Sequence, residues 1–208
     1  MRNPFARRDR DEDLDLQGGH TIEFTAEPDP RLWLIGPTED RPPQQWLPAA
    51  TEALVTDWGF GRRDAAAREM VGRMLAAVLE HSEHGLPYVW LRWPELDIAP
   101  VGLWFGIVAR ESPEEVEAFL TGADGDSVEQ PVVETLDDFP DVTLRRGQMY
   151  RNAGSDELIG TVRYVLDQGH PEGLVVAVAA TWELGLFPTL VEDCDAVLRG
   201  ARMVPRRR

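Results

Sequence analysis

His81 and His84 lie three residues apart in the segment Glu80-His81-Ser82-Glu83-His84. On a helix that spacing puts two imidazoles on neighbouring surface positions, where a third ligand from elsewhere would complete a divalent-metal site. A protonated histidine is equally at home near a helix C-terminus with no metal at all. The metalloprotease pattern, with four-residue spacing and an intervening glutamate, is absent. The reading adopted is no metal and no cofactor, with His81 and His84 as the alternative pair.

Cys194 sits between Asp193 and Asp195. Flanking carboxylates raise a thiol's pKa, the reverse of what a nucleophile needs, so Cys194 reads as a core residue. Gly59-Phe60-Gly61-Arg62-Arg63-Asp64 matches the first two glycines of a dinucleotide loop but lacks the third and follows a helix. It reads as a turn whose Arg62 and Arg63 could seat an anion at the next helix's N-terminus. The acid groups Asp124/Asp126 and Asp137/Asp138/Asp141 do not follow the calcium-loop ligand ladder and read as solvated turns.

What is missing excludes more than what is present suggests. All 21 basic residues are arginine. Without lysine there is no Schiff-base nucleophile, no pyridoxal-phosphate anchor and no Walker-type phosphate loop. Of the four serines, Ser82, Ser112, Ser127 and Ser155, none lies in a Gly-x-Ser-x-Gly elbow. One cysteine excludes an internal disulfide framework.

The seven tryptophans carry more information. Trp58, Trp104 and Trp182 fall at core-facing positions. Trp33, Trp46 and Trp93 lie near strand ends or proline-rich turns, where partial exposure would make them candidate binding residues. The competing reading is that all seven fill an aromatic core.

These residues must be positioned by a chain of 208 residues with a net charge of −16. Residues 1–19 contribute −1 and residues 199–208 contribute +5, so the span between them carries −20. A body so acidic repels phosphate backbones, which argues against nucleic acid or an anionic membrane as partner and admits a basic protein. No apolar run approaches the length needed to span a bilayer. The charged N-terminal segment lacks a signal peptide's apolar stretch, so the expected location is cytoplasmic.

Residues 1–20 read as a flexible tail, 21–204 as a single domain, and 205–208 as a basic tail. Within the domain, Ile22/Phe24 and residues 31–35 look like an opening hairpin. A helix with Pro48 in its first turn carries the stripe Leu47, Ala50, Leu54 and Trp58. A second helix runs from Asp64 as N-cap to Gly85. Residues 87–93 and 101–110 form a hairpin, the latter strand apolar on both faces and therefore central. Ser112-Pro113-Glu114-Glu115 is a capping box that opens a short helix ending at Gly122. Strands follow over 128–136, 142–150, 158–166 and 174–184. In the third, Leu158, Val162, Tyr164 and Leu166 point inward, Thr161 and Arg163 outward. A last helix begins with a capping box from Thr189 to Glu192. With hairpins dominant, the expected fold is α+β: a mainly antiparallel sheet with amphipathic helices packed against it.

This succession, with helices on one side and a closing strand-strand-helix unit from Leu158 to Val204, resembles the PsbP-like fold group. The resemblance implies a binding or accessory role. The expected function is accordingly a non-enzymatic interaction module that uses its acidic surface to bind a protein partner. The alternative is a small-molecule-binding protein or enzyme with a pocket between sheet and helices, drawing on His81, His84 or the carboxylates of residues 137–141.

Overall fold

A computed structural model describes residues 20–61, 64–80, 85–93, 98–122, 127–139, 142–152, 157–170 and 173–207. Among them are the strands β1 (His20–Thr25), β2 (Trp33–Ile35), β3 (Tyr88–Arg92), β4 (Val101–Val108), β5 (Val132–Phe139), β6 (Val142–Asn152), β7 (Leu158–Asp167), β8 (Leu174–Thr181) and β9 (Arg202–Arg207). The helices are α1 (Pro43–Asp57), α2 (Ala65–Glu80), α3 (Pro113–Thr121) and α4 (Phe187–Arg199). The fold is α+β. Seven strands form one antiparallel sheet in the order β2-β3-β4-β8-β7-β6-β5, and β1 pairs with β9 in a separate ladder. β4, expected to be central, has a neighbour on each side.

The chain divides into two compact units. One is Asp29–Trp104. The other combines Phe105–Arg208 with the segment ending at Pro28.

In the 29–104 unit, α1 starts earlier than expected. Pro43 stands in its first turn and Pro48 lies inside the helix, where a missing N–H forfeits one hydrogen bond. The buried face is Trp46, Ala50, Thr51 and Val55, one residue round from the expected stripe. The Trp46 indole sets this rotation by donating to the carbonyl of Ile35 at 2.8 Å. Asp64 caps α2 as expected, its Oδ1 accepting from the Ala67 amide at 3.0 Å. Gly36 is needed where it stands, because a Cβ there would lie 2.2 Å from the Val89 carbonyl oxygen.

In the other unit, the expected opening hairpin does not form. β1 pairs with β9 from His20↔Arg207 to Thr25↔Arg202, while β2 pairs with β3. Pro205, Arg206 and Arg207, expected in a tail, are therefore part of a strand. Buried Ala201 and Met203 anchor it. α3 carries the full capping box, and Gly122 ends it with φ 63°. α4 begins at Phe187, ahead of the expected Thr189, with Pro188 in its first turn and no side-chain cap. Its start is fixed by packing: the Phe187 ring lies over Gly160, where a Cβ would come within 2.7 Å of it, and meets the Tyr150 ring at 5.4 Å. Leu190, Val191, Cys194, Val197 and Leu198 form the buried stripe, each large apolar side chain contributing about 1.5–3 kcal/mol.

Thr161 and Arg163 do not face solvent. Both are buried, as is every residue of β7 from Ile159 to Leu166. The reason is that helices cover both faces. Consecutive strand residues point to opposite faces. Arg163 Nη1 donates to the Phe119 carbonyl of α3 at 2.8 Å, whereas the next residue, Tyr164, bonds to α4. The helices expected on one side thus lie on two, and β9 follows the last of them.

Candidate functional site

Antiparallel register sets the polar groups of β5–β8 in cross-strand rungs. Glu134, Arg146 and Tyr164 share one rung, on the face under α4. Arg146 Nη2 bonds to Glu134 and Nη1 to Asp195 of α4. The Tyr164 hydroxyl donates to Asp195 Oδ1 at 2.8 Å and approaches the Val191 carbonyl at 3.3 Å. With its amide oxygen turned toward the guanidinium, Gln148 accepts from Arg146 Nε and Nη2 at 3.0 Å. Burial pushes the Tyr164 hydroxyl well above its ordinary pKa, with neighbouring Cys194 and Asp195 adding to the effect. Burial also raises Asp195, against the hydrogen bond from Tyr164 and the charge of Arg146. This chain of partners holds α4 to the sheet.

The opposite face has a cavity of about 220 Å³ at the start of α3. Its floor comes from two rungs of β6 and β7, Thr143–Asp167 and Arg145–Val165, together with Leu174 of β8. Arg110, Glu111, Pro113 and Val116 form its walls. Arg110 grips Asp167 with two bonds, Nη1–Oδ2 at 2.7 Å and Nη2–Oδ1 at 2.6 Å, and also donates to the His170 carbonyl. That guanidinium, helped by the Gly169 amide, holds the Asp167 carboxyl below its ordinary pKa. Arg145 Nη2 donates to Glu117 Oε2 at 2.5 Å. The cavity offers charged groups, one hydroxyl and the apolar side chains of Pro113, Val116, Val165 and Leu174, a set able to bind and orient a small ligand.

At the far end of the same strands, the rung Tyr150–Gly160–Thr181 is the last shared by β6, β7 and β8. Beyond it Trp182 is 57% exposed. Leu158 and Val128 are exposed at this end too, with the exposed acids Glu157, Glu183 and Glu129 beside them in sequence. The Glu183 amide donates to Thr181 Oγ1 at 3.1 Å and the Leu184 amide to the Trp182 carbonyl at 3.0 Å, turning the chain sharply at the indole.

The expected binding tryptophans are elsewhere and inaccessible. Trp33, Trp46 and Trp93 are 4%, 3% and 4% exposed. Trp33 lies in the β2–β3 ladder opposite Arg92, Trp46 is tied to Ile35, and Trp93 packs edge-on against Trp58 with centroids 4.7 Å apart. Strand ends that look open in sequence are covered here by α1 and neighbouring rings. Trp182, placed in the core by alternation along 174–184, lies one residue past the end of β8 and is outside it.

Arg62, Arg63, His81, His84, Asp124, Asp126 and Asp141 lie outside the described residues, as do the side chains of Asp137 and Asp138. Cys194 is buried, as its stripe position predicts. Among the described residues, no group of three or more His, Cys, Asp or Glu side chains could hold a metal ion, and no helix is long and apolar enough to cross a membrane. Sequence reasoning missed Arg110, Thr143, Arg145 and Asp167. For Thr143 and Arg145 the one local signal is the polar–apolar alternation Thr143-Leu144-Arg145; Arg110 and Asp167 have none. No protein-family model matches the chain, and no curated protein matches it either.

Proposed function

We propose that the protein is a non-catalytic binding module that docks a basic protein partner on the surface around Trp182. The observation that carries this reading is a tryptophan 57% exposed just past the end of β8, with exposed Leu158 at the same end of the neighbouring strand β7 and the exposed acids Glu183 and Glu157 next to them in sequence. Tryptophan is the residue most often found as an energetic anchor in interfaces. Its ring face attracts the guanidinium or ammonium of a partner, and Glu157, Glu183 and Glu129 supply the complementary charge. The −20 carried by residues 20–198 steers a cationic partner toward the protein and repels nucleic acid. A cytoplasmic setting suits a chain whose one cysteine rules out an internal disulfide. The accessory role is also what a resemblance to the PsbP-like group implies, although the proposal stands on Trp182 without it.

Titration with an arginine-rich peptide and a glutamate-rich control, followed by calorimetry, tests the proposal. The basic peptide should bind and the acidic one should not. Trp182→Ala, which leaves the net charge unchanged, should weaken binding tenfold or more. Equal affinity of the Trp182→Ala variant and the parent would overturn the proposal.

A further inference from the structure

We propose that the cavity at the start of α3 is a binding site for a small aliphatic carboxylate. The site is distinct from the Trp182 surface: its floor is the opposite end of β7, at Val165 and Asp167.

The size, the lining and the partnering of its charges each narrow the ligand. A volume of about 220 Å³ lies below the roughly 300–1,000 Å³ of sites for larger ligands and suits a short acid. Pro113, Val116, Val165 and Leu174 make much of the wall apolar, so the ligand body should be aliphatic.

Of the two cations, Arg110 is already held bidentate by Asp167 and by the His170 carbonyl. Arg145 makes one hydrogen bond among the described residues, through Nη2 to Glu117, and keeps the other N–H groups of its fork. The Thr143 hydroxyl, two residues back and therefore on the same strand face, makes none among the described residues. One guanidinium and one hydroxyl beside the apolar side chains of Val116, Val165 and Leu174 match a single carboxylate. A phosphate would call for several free cations, and Glu111 and Asp167 in the lining disfavour that much negative charge.

Glu117 then acts as an internal competitor. Its side chain is 50% exposed and bonds to Arg145 of the cavity lining. An incoming carboxylate takes over part of the same fork, and Glu117 can turn out to water.

Isovalerate, its neutral amide and the matching amine are the probes, followed by calorimetry and amide chemical shifts on the full chain. Isovalerate should bind at millimolar concentration or tighter, shifting the amides of Thr143, Val165 and Leu174, while the amide and the amine should not. Arg145→Gln should cut affinity at least tenfold, and Glu117→Gln should raise it several-fold, a gain that a merely structural arginine would not give. Trp182→Ala should leave isovalerate binding unchanged, so this site and the docking surface fail or hold independently. Equal binding of acid and amide, no binding of isovalerate at millimolar concentration, or unchanged affinity in Glu117→Gln would overturn the proposal.

Discussion

Tyr164 and Asp195, one on β7 and one on α4, meet through a hydroxyl–carboxylate hydrogen bond of 2.8 Å, and Arg146 holds the second carboxylate oxygen. The bond joins helix to sheet at a point where both residues are largely sheltered from water. Tyr164→Phe keeps the ring and removes only the donor. It should lower stability by about 1.5–3 kcal/mol, the range for a hydrogen bond to a charged group, read from the urea midpoint at unchanged m-value.

Gly147 lies on the face of the sheet that α3 covers. A Cβ added there would stand 2.0 Å from the Leu120 carbonyl oxygen, which belongs to backbone and cannot swing aside. Gly147→Ala should therefore cost about 1–3 kcal/mol through overpacking. Hydrogen exchange should localise the damage to α3 and leave α2 protected as before.

Asp167 should shape the acid limb of the stability curve. Its folded pKa is depressed below the ordinary 3.8, chiefly by the hydrogen bond from Arg110. A depressed carboxylate stabilises the fold above 3.8, and that contribution disappears as the pH falls through the folded value. With both side chains about one-third exposed, the contribution should not exceed about 1 kcal/mol. Urea midpoints of the parent and Asp167→Asn, compared from neutral to strongly acid buffer, should differ at neutral pH and converge in acid. Asp195 has the opposite sign: its raised pKa makes its contribution largest in acid, and that contribution is lost as the pH climbs through the raised value.

Cys194 should report global unfolding. The thiol is completely buried on the inner stripe of α4. A thiol reagent should label it no faster than the protein opens, and the labelling rate should rise with urea. Rapid labelling in native buffer would contradict its placement in the core.

Much of this architecture was legible locally. The Ser112–Glu115 box, the Asp64 cap and the Gly122 stop are short-range chemistry, and each stands where its residues predict. The β5–β6 and β7–β8 hairpins followed from alternation and turns, whereas the order of the strands, including the β6–β7 pairing, did not. The failures were non-local. Nothing near Arg202 announces that it pairs with Thr25, and nothing near Pro48 reveals that Trp46 reaches Ile35. Arg163 looked like an outward residue because alternation identifies faces without saying what covers them. The same blindness hid the α3 cavity, whose lining comes from three strands, a loop and a helix, and it misjudged Trp33, Trp46, Trp93 and Trp182.

The β1–β9 ladder couples residues made at very different moments of synthesis. Thr25 and Arg202 stand 177 positions apart, so the earlier strand waits for its neighbour while nearly everything between them leaves the ribosome. Residues 29–104, continuous in the chain, can close their own contacts during that wait. The other unit can only be sealed afterwards, and during the delay an edge of bare backbone stays open to chance pairing with another nascent chain.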